Sequence, residues 1–220
     1  MPGIKLEVNN FYTNDDIASW SPQMLAEYKR SQVERHFAKK DKRRPESYYK
    51  SCVTRMHDEM IVLEDIRMLC LGTRNNWERD CFRRLFGTNS VYSADISPYA
   101  HADYSVDFNL LSSEITETWD IIFSNSIDHT ISASTSYMNW LSCVSVGGYL
   151  IVDFDMAPSE NVTSHDCAAF NKIMVQDFLS DLAERSVIRT VFVGDNNDRE
   201  DSSSSGYTAG YFRTIVQRLK

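Results

Sequence analysis

The stretch Asn125-Ser126-Ile127-Asp128-His129 holds the densest set of reactive side chains in the sequence. An imidazole titrates near neutrality, so His129 suits proton removal from a nucleophile, and Asp128 beside it can orient the ring or replace it. These two are the candidate catalytic pair, although an Asp-His pair after a strand also serves as a loop or cap element. A second group lies upstream, in Leu71-Gly72-Thr73-Arg74-Asn75-Asn76-Trp77-Glu78. Gly72 permits a close backbone approach at a strand-to-helix turn, and Asn75 or Asn76 suits the cap of the helix that follows. Asp95, with Ile96 after it, closes the next apolar run 23 residues after Gly72. A carboxylate there suits the two hydroxyls of a ribose, since it accepts two hydrogen bonds at once.

Such residues act together only if strands and helices bring them to one edge. From Ile66 onward, short apolar runs alternate with helical segments, the pattern of a parallel sheet with crossover helices. Strands are expected over 66–71, 91–94, 104–108, 119–124, 149–154, 186–193 and 211–217, with helices over 76–86, 134–144 and 165–184. The last helix carries Phe170, Ile173, Met174, Phe178 and Leu182 on one stripe. The final two strands are joined by a polar, serine-rich segment that reads as a loop between antiparallel neighbours rather than a crossover. In an open sheet of this kind, ligands sit beyond the carboxyl ends of the strands where strand order reverses. The first 65 residues contain no convincing strand; Ser21-Pro22 starts one helix that runs to about Lys40, and a second is expected over 46–64, its apolar face ending at Leu63.

With 220 residues and 42% hydrophobic content the chain can bury a sizeable core as one large domain. No run approaches the roughly 18 apolar residues that span a bilayer, and the start lacks the apolar centre of a secretory signal, so a cytoplasmic protein is expected. The five cysteines form no CxxC pair and read as reduced thiols rather than a zinc site or disulfide framework. Between Lys29 and Arg55, ten Lys or Arg face three acids, a local +7 within a chain of net charge −8. That segment, with Lys39, Lys40, Lys42, Arg43 and Arg44 at its centre, is either a solvated face or a patch for nucleic acid or another phosphorylated partner.

Taken in order, the motifs resemble those of the class I S-adenosylmethionine-dependent methyltransferases over about Ile66 to Arg218. MLCLGTRNNWE is similar to the family's first glycine-bearing loop and YSADIS to its second motif. SVDFNLL is similar to the third, WDIIFSNSIDH to the fourth, and GGYLIV to the turn into the fifth strand. The resemblance implies a Rossmann-like α/β fold: seven strands, mostly parallel, the last inserted antiparallel, helices on both faces, and residues 1–65 as a helical extension or lid. It also implies S-adenosylmethionine as cofactor, with Asp95 on the ribose, Asp107 and Phe108 flanking the adenine, and Gly72, Arg74, Glu78, Ile96 and Asn125 lining the remainder. Arg74 and Glu78 would serve the amino acid end.

The departures narrow the reading. Only Gly72 remains in the first loop, which counts against a nicotinamide dehydrogenase, whose pyrophosphate needs several glycines. Asn125-Ser126-Ile127-Asp128 lacks the two prolines of the amino-methylating nucleic-acid enzymes. The fifth strand offers Asp153 and Asp155 in place of the lysine of ribose methyltransferases that use a Lys-Asp-Lys-Glu tetrad. Asp128 with Asp153 and Asp155 echoes the metal-dependent catechol type but without its Asn, and no metal is expected. The expected function is methyl transfer to a small or medium O- or N-nucleophile. The alternatives are an RNA or other phosphorylated acceptor, and a non-catalytic binding protein on the same fold.

Overall fold

A computed structural model describes residues 12–13, 21–62, 64–156, 168–196 and 211–220. In chain order the elements are β1 (Tyr12–Thr13), α1 (Pro22–Ala38), α2 (Glu46–Asp58), β2 (Met68–Leu71), α3 (Trp77–Phe86), β3 (Val91–Asp95) and β4 (Tyr104–Ser105). There follow α4 (Leu111–Glu114), β5 (Trp119–Ser124), α5 (Ala133–Cys143), β6 (Val144–Asp155), β7 (Ala168–Ala169), α6 (Lys172–Glu184), β8 (Ile188–Asn196) and β9 (Tyr211–Arg218). Seven strands form one sheet in the order β4-β3-β2-β5-β6-β9-β8, and β9 runs antiparallel to both β6 and β8 while the other pairings are parallel. Strand order reverses between β2 and β5, which pair from Met68 and Ile121 to Leu71 and Ser124. The crevice that a doubly wound sheet reserves for ligands therefore opens beyond Leu71 and Ser124.

Two apolar layers hold the helices to this sheet, as the near-continuous apolar runs of parallel strands require. Because side chains alternate along a strand, Leu69 and Leu71 face one side with Ile122, Leu150, Val152, Trp140, Phe178 and Leu182. Met68 and Cys70 face the other with Ile121, Phe123, Ile151, Tyr49, Met56 and Phe82. Helix α2 thus belongs to the core of the second face. No helix among the described residues is long and apolar enough to cross a membrane.

Several expected boundaries move. Tyr12–Thr13 does form a short strand, antiparallel to Ala168–Ala169, so the N-terminal region is not free of strands. This pairing also shortens the helix expected over 165–184: it starts at Lys172, where the side chain of Asn171 accepts the Met174 amide at 3.0 Å. Its predicted stripe loses Phe170, which is buried but precedes the helix, and Ile173, which is 70% exposed. The helix expected over 46–64 ends at Asp58, because Met60 and Asp65 take left-handed backbone angles; Leu63 lies outside the described residues. The third strand is cut to two residues because Asp107 accepts the Asn109 amide and starts a 3-10 turn at Phe108–Leu110. Ser21 caps α1 as expected, accepting the Met24 amide, with proline at the first turn. The linker at 197–210, Phe11, Trp20 and Cys167 lie outside the described residues.

Candidate functional site

The first loop leaves β2 at Gly72, whose amide donates to the Ala94 carbonyl at 2.8 Å. Its φ of +71° suits glycine, and a Cβ there would stand 2.6 Å from Ser126 Oγ and 3.5 Å from Phe108 Cε1. One glycine therefore lets the first loop meet both the exit of β5 and the ring after β4. Arg74 and Asn76 also adopt positive φ, so the turn is tight although glycine-poor. Asn76 stands at the N-cap of α3 but its side chain does not cap the helix, donating instead to the carbonyls of Ala100 and His101, while Asn75 Oδ1 accepts the Trp77 amide at 3.2 Å.

Asp95 ends β3 fully buried and is fixed by backbone donors on either side. Its Oδ2 accepts the Arg74 amide at 2.9 Å and its Oδ1 the Ser97 amide at 2.7 Å. Half-buried Ile96 stands between Asp95 and Ser97. Asp107 is buried at the next turn, its Oδ1 accepting from the amide and side chain of Asn109 at 3.0 and 2.8 Å. The Phe108 ring packs edge-on against Trp140, 5.8 Å between centroids, and its carbonyl accepts the Trp140 indole N–H at 2.7 Å. Asn125 accepts from Ser126 Oγ at 3.2 Å at the exit of β5. Gly72, Arg74, Asp95, Ser97, Ser126 and Phe108 are thus linked around one crevice.

Where the loop enters α3, Arg74 Nε in the loop and Glu78 Oε2 in the first helical turn are buried with no hydrogen-bond partner among the described residues. Burial pushes the Glu78 carboxyl above its usual range, opposed by its own backbone amide, Tyr49, Arg44 and Arg74. A buried acceptor and a buried donor left open at one loop fit a ligand that carries an ammonium and a carboxylate, the two groups of an amino acid. In the 3-10 turn after β5, His129 Nε2 lies 3.8 Å from Asp128 Oδ2, and both side chains are mostly buried.

Helix α1 contributes residues that the sequence motifs do not mark. Tyr28 donates to the His129 carbonyl, Lys29 Nζ stands 2.7 Å from Asp107 Oδ2, and His36 Nδ1 stands 3.2 Å from Asp95 Oδ1. The His36 ring meets His129 edge-on at 6.3 Å, and Phe37 packs on Tyr99 at 4.8 Å. The clue lay in spacing: Tyr28, Gln32 and His36 recur every four residues, so one helix face buries polar side chains. The basic segment after α1 is tied to the same loop. Asn75 donates to the Lys40 and Lys42 carbonyls at 2.6 and 3.0 Å, and the Trp77 indole to the Arg44 carbonyl at 2.8 Å. Asp153, which echoed a metal ligand in the sequence, is instead occupied by Arg213 and Tyr48.

No protein-family model matches the chain, and no curated protein matches it. Solved structures do. The 1,6-didemethyltoxoflavin-N1-methyltransferase of Burkholderia thailandensis, solved with its acceptor and S-adenosylhomocysteine, superposes at a TM-score of 0.62 with 9% identity, covering 91% of this chain and 92% of its own. The N-methyltransferase NodS of Bradyrhizobium japonicum, solved with S-adenosyl-L-homocysteine, gives 0.58 at 11% identity over 86% of this chain and 99% of its own. The plantazolicin methyltransferase BamL gives 0.60 at 10% identity over 94% of each. The chain has the class I S-adenosylmethionine-dependent methyltransferase fold. The seven-stranded, mostly parallel sheet and the antiparallel insertion of β9 are those the motif resemblance implied, and within this methyltransferase fold the candidate residues fall at or just beyond the strand exits.

Proposed function

We propose that the protein binds S-adenosylmethionine across the β2, β3 and β5 exits and transfers its methyl group to a small or medium O- or N-nucleophile. The observation that carries this is Asp95: a buried carboxylate, oriented by the Arg74 and Ser97 amides, at the strand exit beside the switch point. Around it, Gly72 leaves room at the crevice, Phe108 supplies an apolar wall, Asp107 an acceptor for the adenine amine, and Asn125 the rim at β5. Glu78 and Arg74 offer the buried acceptor and donor for the amino acid end.

The bound cofactor would supply an electrophilic sulfonium methyl, to be taken in line by the acceptor atom. The chain then has to position that atom, exclude water and accept a proton where the nucleophile carries one. His129 is assigned proton acceptance, with Asp128 orienting its ring. Tyr28 ties the His129 carbonyl to α1, which links the backbone of the candidate base to the helix packed over the crevice. Since α2 is part of the core, the covering role within residues 1–65 falls to α1.

A second acceptor class, RNA or another phosphorylated substrate, is favoured by one observation: the Lys40, Lys42 and Arg44 carbonyls are hydrogen-bonded to the first loop, which sets the basic segment beside the crevice. Calorimetric titration with S-adenosylmethionine and S-adenosylhomocysteine tests the cofactor reading. Asp95→Ala should weaken binding by about tenfold or more, since hydrogen bonds to a charged group contribute about 1.5–3 kcal/mol. Absence of binding by the wild type, or equal binding by the variant, refutes the assignment. Binding without turnover across an acceptor panel would favour a non-catalytic role.

A further inference from the structure

Both acids proposed to hold the nucleoside are already contacted by cationic or cation-forming side chains of α1. A carboxylate has about four lone-pair positions. On Asp95, Oδ2 uses one for the Arg74 amide, and Oδ1 uses two, for the Ser97 amide and His36. One position remains, whereas a ribose diol brings two O–H donors. On Asp107, Oδ1 is filled by the two nitrogens of Asn109, and Oδ2, the oxygen left for an amine, carries Lys29 Nζ at 2.7 Å. Lys29 and His36 are seven residues apart, two turns of one helix, so a single rigid movement of α1 makes or breaks both contacts.

We propose that α1 is a latch that competes with the cofactor: Lys29 and His36 occupy Asp107 and Asp95 in the ligand-free protein and must leave before a nucleoside with a free ribose diol can be held there. This rests on the proposed cofactor site. It differs from a lid that only closes over bound ligand, because such a lid helps binding, whereas a latch opposes it. The apparent dissociation constant is the intrinsic one divided by the unlatched fraction, so releasing a latch that is nine-tenths closed tightens binding about tenfold. His36 should contribute more than Lys29, since the His36–Asp95 contact is buried whereas the Lys29 side chain is 39% exposed and its ion pair is weakened by solvent.

The test uses the full chain, with Lys29→Ala, His36→Ala and the double variant, in two measurements. In calorimetry with S-adenosylhomocysteine, the double variant should bind at least about threefold tighter than wild type, with His36→Ala giving most of the gain. Equal or weaker binding overturns the latch and would make the two residues cofactor supports or simple packing. Hydrogen exchange without ligand is independent of the cofactor reading: amides of α1 should exchange several times faster in the double variant while those of β2 and β5 stay protected. Unchanged exchange in α1 also overturns the latch. If no variant binds S-adenosylhomocysteine, the cofactor reading fails, and the exchange result still decides whether Lys29 and His36 hold α1 down.

Discussion

Arg213 and Asp153 stand directly opposite each other on the antiparallel strands β9 and β6 and join through two hydrogen bonds of 2.7 Å, Nε to Oδ1 and Nη2 to Oδ2. Both side chains are buried, and Tyr48 of α2 donates to Asp153 Oδ2. Burial alone would lower the Arg213 pKa, but Asp153 and its other neighbours hold it well above the usual value. The pair therefore ties the inserted last strand and the second helix to the middle of the sheet.

Removing one partner strands the other charge in the core. Arg213→Met alone should cost about 3–5 kcal/mol, and Arg213→Met with Asp153→Leu substantially less, because a buried pair replaced by apolar groups leaves no uncompensated charge. Chemical denaturation of the single and double variants measures both. Equal losses would show that packing, not charge, sets the cost.

How far the sequence disclosed these features depended on their range. The strand exits at Gly72, Asp95 and Asn125 were legible because each stands at the end of its own apolar run, a local signal, whereas Asp107 was read as inside the third strand and instead starts the turn after it. Tyr12–Thr13 was invisible because a two-residue strand has no period, and its partner at Ala168–Ala169 is distant in sequence. The Arg213–Asp153 pair was missed for the same reason, 60 residues separating its members. His36 was hidden differently: its four-residue spacing with Tyr28 and Gln32 marks a single helix face, but polar residues on several sides of α1 leave that face without the apolar contrast that signals burial.

Gly72→Ala tests the close approach of the first loop. A Cβ would sit 2.6 Å from Ser126 Oγ at a positive φ, so the substitution combines backbone strain with a clash that Ser126 must relieve by moving. The expected loss is about 1–3 kcal/mol of stability, together with weaker cofactor binding. Gly72→Ala with Ser126→Ala should recover part of the stability, the strain remaining. Full recovery would assign the whole cost to the clash rather than to backbone conformation.

The described cysteines should be inert. Burial pushes the thiols of Cys52 and Cys81 up to about 12, so in the folded protein they stay protonated at pH 8 and alkylate slowly. Unfolding restores ordinary thiols that ionise near pH 8.5, so the folded state retains protons that the unfolded state loses. This contribution to stability is full below pH 8 and falls as pH rises toward 12. Cys52→Ala should flatten that decline in denaturant midpoints measured between pH 8 and 11; an unchanged slope would assign it to other groups.

His129→Ala should reduce turnover by about 10²–10⁴ where the acceptor must lose a proton, and leave S-adenosylhomocysteine affinity unchanged. Asp128→Asn should act in the same direction but less, since at 3.8 Å from Nε2 it orients rather than carries the proton. Rates of S-adenosylhomocysteine formation give the comparison. Equal turnover in wild type and His129→Ala would mean that the acceptor needs no base, as for a nucleophile with a free lone pair and no proton to lose.

The basic segment separates the two acceptor classes. Arg43 is exposed, its guanidinium 5.0 Å over the Trp77 ring at the edge of the first loop, and Lys40 lies 5.1 Å over Phe37, which itself packs on Tyr99. Cations set among partly exposed aromatic rings suit a chain of phosphates and bases. If RNA or another phosphorylated substrate is the acceptor, Lys40→Glu with Arg43→Glu should weaken binding of a short single-stranded RNA by about an order of magnitude. It should also flatten the dependence of log affinity on log salt by about 0.7 for each phosphate no longer neutralised. Both side chains lie over aromatic rings rather than against Asp95 or His129, so S-adenosylhomocysteine binding should hold. A small uncharged acceptor predicts the reverse result: RNA binding absent from the start, and methyl transfer unchanged by the two reversals.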